Sequence, residues 1–147
     1  MILPIIAVLG VAWFAVSQQP PPLPTPQAVA EWSKCDPAKV AFVIGTIPYR
    51  LQGPTWWPAD TCLTMGYGDC KCYATIAKAT LDRCAGYESH IKILKHPYKA
   101  PNHAVTLFTD HKGRRGYING HDHKTFDGDT NWQDIVATVP GGPWERE

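Results

Sequence analysis

Gly66-Tyr67-Gly68-Asp69-Cys70-Lys71-Cys72-Tyr73-Ala74-Thr75-Ile76-Ala77-Lys78-Ala79-Thr80-Leu81-Asp82-Arg83-Cys84-Ala85-Gly86 is the stretch that decides the fold. Its two leading glycines and Asp69 make a turn, and Asp69 stands where a helix N-cap is wanted, because its carboxylate can accept from a backbone N–H that has no partner inside the helix. From Cys70 onward Tyr73, Ile76, Ala77, Thr80, Leu81 and Cys84 recur at helical spacing, and Gly86 supplies a C-terminal stop. The pattern predicts a buried helix with Cys70 in its first turn. There the helix dipole and the unpaired N–H groups favour a thiolate, the reactive form of cysteine.

A thiolate needs a base beside it, and the chain offers His90, His96, His103, His111, His121 and His123. His103 is set apart by its context. Asn102-His103-Ala104-Val105-Thr106-Leu107-Phe108 begins a strand-like run after the proline-bounded loop 97–101, and Tyr117-Ile118-Asn119-Gly120 reads as the end of a second strand across the turn 110–116. Adjacent strands in such a hairpin bring Asn119 opposite His103, completing a set of nucleophile, base and orienting group.

These residues resemble the transglutaminase-like cysteine peptidases, a bacterial branch of the papain-like superfamily. The resemblance is carried by Trp57-Pro58, by Gly66-x-Gly68-Asp69-Cys70-x-x-Tyr73-Ala74, by Leu81 and Gly86, and by His103-Ala104-Val105, and it spans roughly residues 56–119, under half of the chain. It implies an α+β fold with the catalytic Cys at the start of a core helix packed on an antiparallel sheet that carries His103 and the third residue. Family members commonly use an aspartate in third place; here Asn119 matches best and Asp122 is the fallback. The calcium-dependent members carry acidic residues directly after the Cys, whereas Lys71 and Cys72 stand there in this chain. No cofactor is expected.

The chemistry so implied is attack by Cys70 on an amide carbonyl of a protein or peptide substrate, with His103 moving the proton and a thioester acyl-enzyme resolved by water. The Cys70 backbone N–H would hold the oxyanion, and Trp56, Trp57 and Tyr67 are candidates for a second donor or a groove wall. Transamidation by an amine uses the same residues. Two other classes compete with catalysis. His121-x-His123, with Asp122, Asp127 and Asp129 nearby, offers a zinc or copper site, and an inactive domain of the same fold would serve as a binding module.

The five cysteines, Cys35, Cys62, Cys70, Cys72 and Cys84, leave at least one unpaired. Cys72 and Cys84 lie on one helix about 18 Å apart, too far to bond. In an oxidising compartment Cys35 and Cys62 therefore pair with those two in one order or the other, and Cys70 is the free thiol. A zinc finger is disfavoured by the one-residue spacing of Cys70 and Cys72.

The first charged residue is Glu31. Residues 1–17 are apolar and read either as a signal peptide, with Ala15-Val16-Ser17 as cleavage site, or as an N-terminal membrane anchor formed by a short transmembrane helix, which would set the domain on the extracytoplasmic side. Residues 18–26 form a proline-rich spacer in polyproline II conformation, and residues 27–147 form the domain. With 14 Lys and Arg against 13 Asp and Glu, the net charge of +1 argues against a nucleic-acid partner. Lys112, Arg114 and Arg115 read as a solvated turn. Trp132, Ile135 and Val136 recur at helical spacing in residues 130–139, and no function attaches to the tail from Pro140.

Overall fold

The computed structural model describes residues 19–98 and 101–146. Prolines at the first helical position open two helices. Helix α1 (Pro26–Ser33) is capped by Thr25, whose hydroxyl accepts from the Ala28 N–H at 3.1 Å. Helix α2 (Pro37–Gly45) is capped by Asp36, whose carboxylate accepts from Ala38 N–H at 3.0 Å. Proline there costs nothing, since its missing N–H would have had no partner, and its fixed φ is already helical. Helix α3 (Ala59–Met65) follows an exposed loop and ends on Gly66 in the left-handed conformation (φ +79°). Helix α4 (Cys70–Leu81) starts with its side-chain cap at Asp69. Its end falls short of the Gly86 stop, because the chain tightens into turns: Arg83 N–H bonds Thr80 O, and Cys84 N–H bonds Leu81 O.

Four strands then run as an antiparallel meander in the order β1 (Glu88–Leu94), β2 (His103–Thr109), β3 (Arg115–Asn119) and β4 (Asp122–Phe126), and α5 (Trp132–Ala137) follows. The fold is α+β. Alternation along β2 divides the core in two. Phe108 joins Val40, Ile44, Ile76, Leu81 and Ile118 beneath α4, while Val105 and Leu107 join Leu94, Tyr117, Ile135 and Val139 on the α5 face. Thr106, fully buried on the α4 side, donates its hydroxyl to Ala74 O at 2.7 Å. This bond ties the middle of β2 to α4 and answers a polar group that would otherwise be costly to bury.

Both disulfides act on α4. Cys62–Cys72 joins its first turn to α3, and Cys35–Cys84 joins the turn beyond its last residue to the end of α1. Cys70 is the free thiol. Disulfides mark an oxidising compartment. The transmembrane expectation is corrected: among the described residues no helix is long and apolar enough to cross a membrane. The 12-residue α4 spans about 18 Å against a hydrocarbon core of about 30 Å. Residues 1–17, on which the signal or anchor reading fell, lie outside the described residues. Residues 20–23, within the proline-rich segment, line a recess with Phe42, Thr46, Ile47 and Leu63. The basic turn is structural as well as solvated: buried Asp110 accepts from Lys112 N–H, Arg114 N–H and Arg114 Nε, and the Arg115 guanidinium lies 4.9 Å over Trp132.

The two bridges close loops of different length, with sequence separations of 49 and 10. Loop-closure entropy then assigns about 4 kcal/mol to Cys35–Cys84 and about 3 kcal/mol to Cys62–Cys72. Denaturant unfolding of C35A/C84A and C62A/C72A is expected to show both losses in that order; the reverse order would refute the entropic account.

Candidate active site

The turn ahead of α4 is held from outside by residues 48–52. Gly68 N–H bonds Pro48 O at 3.0 Å, and Arg50 N–H bonds Gly68 O at 2.8 Å. One residue on, Asp69 N–H donates to Gln52 Oε1, and Gln52 N–H donates to Asp69 Oδ2, each at 3.3 Å. Gly68 must lack a side chain, because a Cβ there would stand 2.7 Å from Cys72 Cβ. Asp69, almost fully buried, caps the helix through Lys71 N–H at 3.0 Å and pairs with Lys71 Nζ at 2.5 Å. Cys70 is thereby presented as the first residue of α4, half-buried. Its own N–H has no acceptor among the described residues.

His103 opens β2, and its Nε2 lies 2.5 Å from Asn119 Oδ1 at the end of β3. An amide oxygen only accepts, so the bond fixes the proton on Nε2 and leaves Nδ1 for the sulfur. His103 hydrogen-bonds Cys70, and the Ala104 N–H donates to the same sulfur. Burial pushes the Cys70 thiol up, and the Asp69 charge acts the same way, but the His103 bond, the Ala104 bond and the imidazolium charge outweigh them, so the thiol titrates below its ordinary value. His103 moves the opposite way. Its bond to Cys70 raises it, burial opposes, and the Asn119 bond and the thiolate charge add to the rise. The two shifts reinforce one another, each favouring the charged form of its group.

The structure joins Cys70, His103, Asn119 and Asp69, and it shows other contacts for several of the remaining candidates. Asp122, the fallback third member, pairs across the turn with Asn119, and its carboxylate lies 3.5 Å from His121 Nε2. Trp56 and Trp57 stand exposed on the loop before α3, with no hydrogen bond or ring contact to Cys70 or His103. The Tyr67 ring lies 4.8 Å under the Arg50 guanidinium. His121 and His123 gain no further ligand: among the described residues no group of three or more His, Cys, Asp or Glu side chains is placed to hold a metal ion.

Three residues with no signal in the local pattern belong to the site. Gln52 braces Asp69. Tyr49 is 59% exposed and meets Tyr73 edge-on with ring centroids 5.9 Å apart, and burial and then the Cys70 charge raise its hydroxyl. Trp144, in the tail, stacks on the His103 imidazole with centroids 5.8 Å apart and planes 14° from parallel. Comparison with family models, with curated proteins and with solved structures finds no significant match.

Alkylation of Cys70 followed by peptide mass spectrometry reads this coupling directly. Because the thiol is lowered, labelling is expected to stay fast well below the ordinary thiol value of about 8.5. His103→Ala removes the stabilising donor and should move the profile upward. A wild-type profile of an ordinary thiol would show the pair does not ionise.

Proposed function

We propose that this chain is a thiol-dependent amidase or peptidase of the transglutaminase-like type, acting on protein or peptide substrates. The observation that carries the reading is the continuous line Cys70–His103–Asn119, built from a helix start and two strand ends. Cys70 Sγ attacks the amide carbonyl carbon, and a C–S bond forms as the oxygen takes the electron pair. The Cys70 N–H, unpaired at the helix terminus, is the available donor to that oxygen. Collapse of the tetrahedral adduct breaks the C–N bond, and the imidazolium of His103 gives its Nδ1 proton to the departing amine. Neutral His103 then takes a proton from water, whose oxygen attacks the thioester and frees the acid and the thiolate. An amine in place of that water turns the same steps into transamidation.

Asn119 supports this cycle by holding Nε2–H through both charge states of the ring. An aspartate would add a negative charge to the imidazolium; the amide oxygen orients the ring without that charge, so the thiolate alone is its counter-ion. Tyr49 and Leu51, both exposed in the segment that braces the Asp69 turn, offer apolar surface to an extended peptide segment. The disulfides favour substrates met in an oxidising compartment, exposed protein segments or cell-wall peptides among them.

Incubation with a mixed peptide library, quenched in acid, is expected to leave a thioester mass adduct on Cys70 and to release cleaved peptides. Cys70→Ala should lower turnover at least about 1,000-fold while leaving the unfolding transition in place, and Asn119→Ala should fall between the two. Turnover that survives in Cys70→Ala would end this reading.

A further inference from the structure

We infer that the cavity between β1, α5 and the C-terminal tail is a binding site for a small aromatic carboxylate. Neither Cys70 nor His103 lines it, and the inference does not rest on the amide chemistry proposed above. The cavity encloses about 390 Å³. A void of about 150 Å³ already admits a benzene ring, so two fused rings fit here with room for an acid group. Leu107 of β2 lines it from the sheet, and Val136 and Ala137 line it from the last turn of α5. Apolar walls with a few polar groups among them are the usual form of a small-molecule site.

Two indoles complete the apolar lining, and each is already held in place. Trp132 meets His90 edge-on with ring centroids 5.8 Å apart, and it lies 4.9 Å under the Arg115 guanidinium, which donates to Thr130 O at 2.9 Å. Trp144 donates its indole N–H to Val139 O at 3.0 Å, and the next residue, Glu145, donates its N–H to Lys95 O at 2.7 Å. Walls fixed before a ligand arrives lose little freedom when it binds. Indole surfaces are broad and flat, and they pair best with another aromatic ring.

Charge selects the group that the ring carries. Among the described lining residues Lys92 and Arg146 are cations and Glu145 is the single carboxylate. His90 feels this imbalance. Burial lowers its titration, and the charges of Lys92 and then Lys78 lower it further. A field that disfavours an imidazolium favours an anion at the same place. Arg146 adds a planar fork that matches a carboxylate with two parallel hydrogen bonds. The competing ligands are a neutral ring, held by the indoles alone, and an aromatic amine, drawn by Glu145.

Titration of the full chain with 2-naphthoate, 2-naphthamide and 2-naphthylmethylamine separates the three, because they share one ring system and differ in charge. Calorimetry gives the affinities, and the indole N–H resonances of the 6 tryptophans in nitrogen-edited NMR give the place. Naphthoate is expected to saturate, to shift the Trp132 and Trp144 resonances and to leave those of Trp56 and Trp57 unmoved. It should bind at least about 10-fold more tightly than the amide, the scale of one hydrogen bond between charged groups. Arg146→Gln, on the exposed tail, should bring naphthoate toward the affinity of the amide. Ala137→Trp, at the exposed end of α5, fills the cavity and should abolish naphthoate binding while the unfolding transition stays in place. Failure of naphthoate to saturate, equal affinity for the amide, tighter binding of the amine, or naphthoate affinity unchanged in both variants overturns the inference.

Discussion

The buried carboxylate of Asp69 is the constraint on which the site depends. It caps α4, pairs with Lys71, and receives the Gln52 N–H. Each of these bonds fixes the turn from a different direction, and together they set where the first residue of α4 stands. The same carboxylate is a liability, because its charge opposes ionisation of the adjacent thiol. Lys71 offsets part of that charge at close range, and His103 and the Ala104 N–H supply the rest from the sheet. The Cys70 thiol is thus acted on by two elements with opposed electrostatic effects, and its lowered titration requires α4 and β2 to be docked.

Docking is settled by a few contacts along one line. Thr106 joins β2 to α4 in the core, two residues past Ala104, whose N–H reaches the sulfur. Val105 and Leu107, on the opposite face, lock the strand to Ile135 and Val139. A shift of β2 by one residue would turn Thr106 and Phe108 toward α5 and Val105 toward α4, exchanging both core faces at once. The register that places His103 opposite Cys70 is therefore the register that buries the core.

Much of this was legible in local pattern. Asp69 before an apolar period marked the start of α4, the run from His103 to Phe108 marked β2, and the hairpin brought Asn119 to His103. The span between Cys72 and Cys84 also limited the disulfide partners, although Cys84 falls in the turns beyond α4, and which of the two bonds Cys35 depends on where α1 packs. Other elements carried signals of a weaker kind. Thr25-Pro26 and Asp36-Pro37 are cap-and-proline starts for α1 and α2, while the edge strand β1 alternates too poorly between buried and exposed to be read as one. Trp144 had no local signature at all. Its partner ring is 41 residues away in the chain, and a glycine-glycine-proline tail reads as a terminus until the fold closes it over His103.

Helix α4 is covalently held at both ends, to α3 through Cys72 and to α1 through Cys84, just beyond its last turn. A helix fastened in this way cannot fray from its first turn or slide along its axis without carrying its neighbours. Motions that would expose its amides to solvent must then be those that open the domain as a whole, so the segment bearing Cys70 belongs to the slowest-exchanging unit of the fold.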